Sequence, residues 1–241
     1  TQTFGEKERE EEAMELVRMH HADGIILCAI ENDWDKIRSY EQYGKVVVCN
    51  EYNEDTSIST VCGRQYEGFY KAAEYLIGKD YQRIAYCTGS RGVMHQPKGM
   101  DLDSDRYSGY IEALAAHGMT ADPNLIFTKM KTVDDGRKLL QEILKIKNRP
   151  DAIIAGSDEV AAGILTEAMK HGINIPEDLA IVGVDDQSIA SLLPIPLTTI
   201  RQPVQDEGML AAKEIIRQLS EEPDDTIRKE LELELVIRQS A

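Results

Sequence analysis

The chain has 241 residues, 42% hydrophobic and 29% charged, which is enough apolar content to bury a large core in one domain or two smaller lobes and excludes a disordered chain. Its formal net charge of -16 and pI near 4.7 work against phosphate-backbone binding, which needs a basic face, so the chain is not expected to bind DNA alone. No apolar run reaches membrane-spanning length and the acidic start lacks the basic and apolar regions of a secretion signal, so the expectation is a soluble, cytoplasmic protein without a membrane partner.

In chain order, helical and buried-strand patterns alternate. Residues 1–4 read as the tail of a strand. An acidic block over 6–12 opens a helix with Ala13, Leu16, Val17 and His20 at helical spacing, and the block suits a helix N-terminus or a solvated face. Residues 25–30 and 45–49 are apolar runs without alternation, as expected for strands covered on both faces, and between them Asp33 caps a short helix that ends at Gly44. Residues 60–77 read as one helix, with Tyr66, Phe69, Ala73 and Leu76 on one face.

Residues 83–88 predict a strand, 103–117 a helix and 125–128 a short strand. A further helix over 132–147 starts with Thr132 and Asp135 placed as a capping box. Strands at 151–155 and 179–184 flank a helix over 158–171. A helix over 204–219, an acidic turn at 221–225 and a closing strand at 230–237 complete the chain.

Strands alternating with helices of this length imply βαβ units and parallel sheet with helices on both faces, an α/β fold. Ligands of such sheets bind beyond the carboxyl ends of the strands. The polar strand exits are Asn50-Glu51, Gly89-Ser90-Arg91, Ser157-Asp158 and Asp185-Asp186. Each is either a ligand contact or simply a turn or helix cap.

An enzymatic reading finds little support: Asp185-Asp186 suggests paired carboxylates for acid-base work, but neighbouring residues at a strand exit diverge in direction. There is no nucleophile elbow, Walker loop, dinucleotide fingerprint or zinc-protease motif, and the five histidines are scattered, so no catalytic residue, metal or cofactor is expected. Cys28, Cys49, Cys62 and Cys87 lack C-x-x-C spacing and read as buried free thiols in a reducing compartment.

Seven ordered segments resemble the effector-binding core of the lactose/galactose repressor family of bacterial transcription regulators. They are Ala22-Asp23-Gly24-Ile25-Ile26-Leu27, Arg106-Tyr107-Ser108-Gly109-Tyr110, Ala113-Leu114, Ser157-Asp158-Glu159-Val160-Ala161-Ala162-Gly163, Ile181-Val182-Gly183-Val184-Asp185-Asp186, Pro196-Leu197-Thr198-Thr199-Ile200-Arg201-Gln202-Pro203 and Leu235-Val236-Ile237-Arg238-Gln239-Ser240. The resemblance implies two similar doubly wound parallel-sheet lobes joined by three crossovers, with the ligand held between them. The first lobe would take residues 1–60 and 203–221, the second 61–200 and 225–241. Crossings would fall near Ser59, near Arg201 and in the turn at 221–225.

The family's functional positions carry over one at a time. Arg106 matches an arginine that contacts effector hydroxyl, carboxylate or phosphate groups, and Asp185 a carboxylate that accepts from ligand hydroxyls or amines. Ser157 stands where the family usually has Asn. Asn50 falls near a position often occupied by Asp, and Gln202 at a crossover position sometimes facing the cleft. Lys131 lies where several members place a stacking aromatic, and a cation there is either a contact for an anionic effector such as a sugar phosphate or a solvent-facing lysine.

Two departures stand out. Set against the family's pattern, the sequence is expected to be without the helix-turn-helix headpiece, through which operator DNA is bound, and without the first strand and helix of the first lobe. The implied function is the effector-sensing and dimerisation domain of a homodimeric regulator, with a sugar or sugar phosphate as effector. The alternative is the solute-binding protein of a sugar transporter, which shares the fold.

Overall fold

Strands buried on both faces by flanking helices organise each part of the chain. The computed structural model describes residues 1–54, 57–220 and 225–241. These form two units: Thr1–Arg64 with Gly99–Leu102 and Pro203–Leu231, and Gln65–Lys98 with Asp103–Gln202 and Glu232–Ala241. No helix among the described residues is long and apolar enough to cross a membrane.

The first unit holds a four-stranded parallel sheet in the order β1 (Gly24–Leu27), β2 (Lys45–Cys49), β3 (Ser59–Gly63), β9 (Arg228–Leu231). Successive residues of β2 point to opposite faces, and both faces are covered. Val46 and Val48 pack with Met14 of α1 (Lys7–Arg18) and Ile37 of α2 (Trp34–Arg38). Val47 and Cys49 pack with Val61 and with Ala211 of α8 (Val204–Leu219). Glu10 departs from the expected solvated acidic face: it is buried and accepts from the backbone N–H of Glu31 at 2.5 Å.

The second unit holds a six-stranded sheet in the order β10 (Glu234–Val236), β8 (Thr198–Arg201), β7 (Ala180–Asp185), β6 (Ala152–Ile154), β4 (Ile84–Cys87), β5 (Ile126–Phe127). All pairings are parallel except β10 with β8. One face packs against α5 (Val133–Ile143) and α6 (Asp158–Lys170) through Ala85, Cys87, Ile153 and Ile181. The other packs through Ile84, Tyr86, Ile154 and Val182 against Phe69 of α3 (Gln65–Gly78) and Tyr110 of α4 (Leu102–Ala116). Helices α5 and α6 approach backbone to backbone: a Cβ on Gly163 would stand 2.1 Å from the Val133 carbonyl oxygen. The Thr132/Asp135 capping box that starts α5 is present with both reciprocal bonds.

The parallel α/β architecture is as expected, while several local expectations are corrected. Residues 60–63 are not helical; they form β3, which is hydrogen-bonded between β2 and β9, and the helix begins at Gln65. The closing segment is two strands rather than one. Arg228–Leu231 pairs parallel with β3 in the first unit, and Glu234–Val236 antiparallel with β8 in the second. The last passage between units therefore follows Leu231 instead of lying at 221–225, a turn of which 221–224 fall outside the described residues. Earlier passages follow Arg64 and Gln202, and the short segment Gly99–Leu102 also belongs to the first unit. A short helix, α7 (Ser188–Leu192), occupies what reads in sequence as loop, and residues 1–4 form no strand.

Candidate functional site

The carboxyl ends of β4, β6, β7 and β8 form one polar edge of the second unit, bordered by the starts of α3, α4 and α6. Asp185 ends β7 opposite Arg201 of β8. Its φ of +105° and the +52° of Asp186 lie in the left-handed half of backbone space, costly for non-glycine residues and held only by surrounding structure. Gln187 offers Asp185 only a contact at 3.5 Å, so this carboxylate retains acceptor capacity. Burial raises the Asp185 pKa above the ordinary value, opposed by the positive charge of Arg106.

Asp186 serves the opposite purpose. It accepts from Arg201 Nε at 2.7 Å and Arg238 Nη2 at 2.6 Å, tying the turn to β8 and to the chain end. Burial works to raise its pKa, but the two arginines outweigh it and the net shift is downward.

The support beneath this turn comes from Asp158, which in sequence reads as part of a polar strand exit that is either a ligand contact or a helix cap. Its carboxylate is fully buried, accepting from the Thr199 hydroxyl at 2.6 Å and from the Gln187 backbone N–H at 2.7 Å. Thr199 Oγ1 in turn accepts from the Asp186 N–H at 3.3 Å. Burial pushes the Asp158 pKa up to about 6, against the pull of its two hydrogen bonds. Gly183 is required beside it, since a Cβ there would stand 2.3 Å from Asp158 Oδ1.

Arg106 projects from α4, and its Nε donates to Gln65 Oε1 at 2.8 Å while the guanidinium lies 5.3 Å from the Phe69 ring centre. Gln65 is fully buried and donates through Nε2 to Gln202 Oε1 at 3.1 Å. The two glutamines orient the guanidinium fork and leave its terminal nitrogens for a ligand. Arg106, Asp185 and Gln202 are thus brought to one edge, and Gln65 joins them as a residue that sequence reading missed.

The remaining predicted residues are less committed to a ligand. The Ser157 hydroxyl caps α6 by accepting from the Val160 N–H at 3.3 Å, which leaves its proton available. Lys131 is exposed beside the exit of β4, its side chain lying along Gly89. Asn50 belongs to the first unit and follows β2 with φ +73°. Its Oδ1 is buried without a hydrogen-bond partner, an unusual state for an amide oxygen and one that a donor would relieve. A separate hollow along β1 is lined by Phe4, Leu16 and Leu27 together with Thr1, Thr3 and Glu10. Among the described residues no cluster of three or more His, Cys, Asp or Glu side chains is arranged to hold a metal ion.

Residues 73–241 match the family model of the periplasmic binding protein-like domain. The chain is 35% identical over 240 residues to the NTD biosynthesis operon regulator NtdR of Bacillus subtilis (strain 168), covering 99% of this chain and 71% of that regulator. The chain belongs to the lactose/galactose repressor family. A second member, the ribose operon repressor of Halalkalibacterium halodurans, is 30% identical over 99% of this chain and 68% of its own length. Among solved structures, a family regulator from Lactobacillus casei with bound glucose superimposes with a TM-score of 0.85 at 28% identity, over all of this chain and 87% of that one. The chain is accordingly the effector-binding domain of a family regulator. These relatives are transcriptional regulators, which disfavours the transporter alternative.

Proposed function

We propose that this domain senses a polyhydroxylated small molecule, a sugar or sugar phosphate, and uses its binding to alter operator affinity in a homodimeric cytoplasmic regulator. The observation that carries the reading is the meeting of Arg106 and Asp185 at one strand edge. One presents a donor fork held by Gln65, the other a carboxylate with no close protein donor, a pairing suited to vicinal hydroxyls. Gln202, Ser157 and Lys131 are secondary contacts of the second unit, and Asn50 is a contact of the first. The glucose bound by the Lactobacillus casei regulator and the name of the ribose operon repressor support the ligand class. Leu192 of α7, 79% exposed, is an apolar side chain of the kind a second copy would cover.

The ligand acts by binding two states of the domain with different affinity and undergoes no chemistry. The test is a thermal-shift screen of sugars, sugar phosphates, amino acids and purines on the protein and on Arg106→Ala and Asp185→Ala. A sugar or sugar phosphate is expected to stabilise the parent protein and to lose that effect in both variants. Equal shifts in all three proteins would place the site elsewhere.

A further inference from the structure

Two cysteines of the first unit end adjacent strands. Leu27 of β1 stands opposite Val48 of β2 in parallel register, which sets the following residues, Cys28 and Cys49, side by side. They share a face: Ile26 and Val47, two residues back on each strand, pack in the same cluster as Cys49. Neighbouring strands lie about 5 Å apart, inside the Cα separation that a disulfide spans. Cys28 sits in the bend just past β1, where its backbone is free of the ladder and can adjust.

The two thiols differ in character. Cys28 is exposed, contrary to its reading as a buried thiol, whereas Cys49 is buried. The Cys49 thiol donates toward Cys28 and lowers its pKa to about 6 against the opposing effect of burial, while the same contact, together with burial, drives Cys49 upward. Cys28 is therefore a thiolate near neutral pH, with a protonated partner beside it. Cys62 and Cys87 are buried, and burial pushes Cys87 up to about 12.

We propose that Cys28 and Cys49 form a redox-responsive dithiol that closes to an intramolecular disulfide when the protein meets a hydroperoxide. The Cys28 thiolate attacks one peroxide oxygen, the O–O bond breaks, and the departing hydroxide takes a proton to leave as water, giving a sulfenic acid. The Cys49 sulfur then attacks the Cys28 sulfur as its own proton passes to the leaving oxygen, the S–O bond breaks, and a second water departs. Two thiols lose two electrons in all, and hydrogen peroxide is reduced to two waters. A reducing dithiol reverses the step. Asn50 follows Cys49 directly, so closure acts on the backbone at a proposed effector contact. That consequence rests on the effector reading above; the disulfide does not.

The test treats the reduced protein with one equivalent of hydrogen peroxide, unfolds it and counts thiols. The count is expected to fall from four to two, with the peptides bearing Cys28 and Cys49 joined after digestion by trypsin and a glutamate-specific protease, which cuts at Glu51 and Glu54 and so separates Cys49 from Cys62, and with dithiothreitol restoring the thiols. Cys49→Ser should stop at a Cys28 sulfenic acid trapped by dimedone, and Cys28→Ser should keep its remaining thiols. A variant lacking Cys62 and Cys87 should still close. Four surviving thiols in the parent protein, a bridge to Cys62 or Cys87, or a bridge between chains would overturn the proposal. If the disulfide forms but sugar-induced thermal shifts are unchanged by oxidation, the link to the effector fails while the dithiol stands.

Discussion

Asp158 and Thr199 are joined by a 2.6 Å hydrogen bond between a fully buried carboxylate and a buried hydroxyl, linking the exit of β6 to β8. The second carboxylate oxygen holds the Gln187 N–H, so the turn that aims Asp185 is fixed by a residue on another strand exit. Such a support can be tuned without touching the ligand.

Asp158→Asn tests this through pH. The folded-state pKa, raised to about 6, lies above the ordinary carboxylate value of 3.8. The stability gained by protonating Asp158 is therefore fully present below the ordinary value and is lost as pH rises to about 6. The melting temperature of the parent protein relative to the Asn variant should fall between these limits and stay flat above pH 7. A parallel pair of curves would show that the carboxylate does not titrate there. Effector affinity at pH 7 should also weaken in the variant, because an amide cannot accept from both Thr199 and Gln187.

Gln65→Leu removes the acceptor that orients Arg106 while preserving bulk in a buried position. The variant should fold, at a cost of about 1–3 kcal/mol for leaving Gln202 without its partner. Effector affinity should fall by about tenfold, the equivalent of one hydrogen bond's worth of orientation. Titration calorimetry with the best ligand of the thermal screen reads this directly. Unchanged affinity would mean that Arg106 needs no positioning.

Glu214 of α8 is a buried carboxylate satisfied by Arg217 at 2.8 Å, Ser59 at 2.8 Å and Gln218 at 2.7 Å. Chiefly through the Arg217 bond its pKa drops to about 2, burial opposing. Its contribution to stability is present above pH 4.5 and lost as pH falls toward 2. Glu214→Ala should lower stability at pH 7 by about 1–3 kcal/mol, and urea midpoints of the two proteins should converge as pH is lowered from 5 to 3.

Gly163→Ala should separate α5 from α6. The added methyl would stand 2.1 Å from the Val133 carbonyl oxygen, which belongs to backbone and cannot rotate away. Overpacking of this kind costs about 1–3 kcal/mol, with larger values where the backbone must move. A clear drop in melting temperature is expected. Gly208→Ala in α8, where a Cβ meets nothing within 4 Å, serves as the control and should be neutral or stabilising.

Much of the fold is legible in the sequence because burial writes itself into local pattern. The runs at 45–49 and 179–184 are apolar without alternation because helices cover both faces, and Thr132 with Asp135 announces the start of α5 in four residues. Arg106 and Asp185 could be nominated from their motif segments. Asp158 stands in the sequence only as one of several polar strand-exit residues and Gln65 only as an interior position of a longer helix, so neither the burial nor the partners of these two side chains are legible there.

By itself, then, the sequence determined the α/β class, the capping box of α5 and the strands covered on both faces, since these follow from propensity and periodicity within one element, whereas the cap expected of Asp33 makes no side-chain bond and its helix stops at Arg38. Tertiary structure alone decided that 60–63 is a strand, because β3 exists only between β2 and β9. It alone decided that the polar run at 228–231 pairs with β3 whereas 234–236 pairs with β8. It also decided which of the two adjacent carboxylates faces a ligand: Asp186 is consumed by Arg201 and Arg238, residues distant in sequence, and that leaves Asp185 free to accept. Such hydrogen-bond partners are set by strand register across the sheet, which no local pattern encodes.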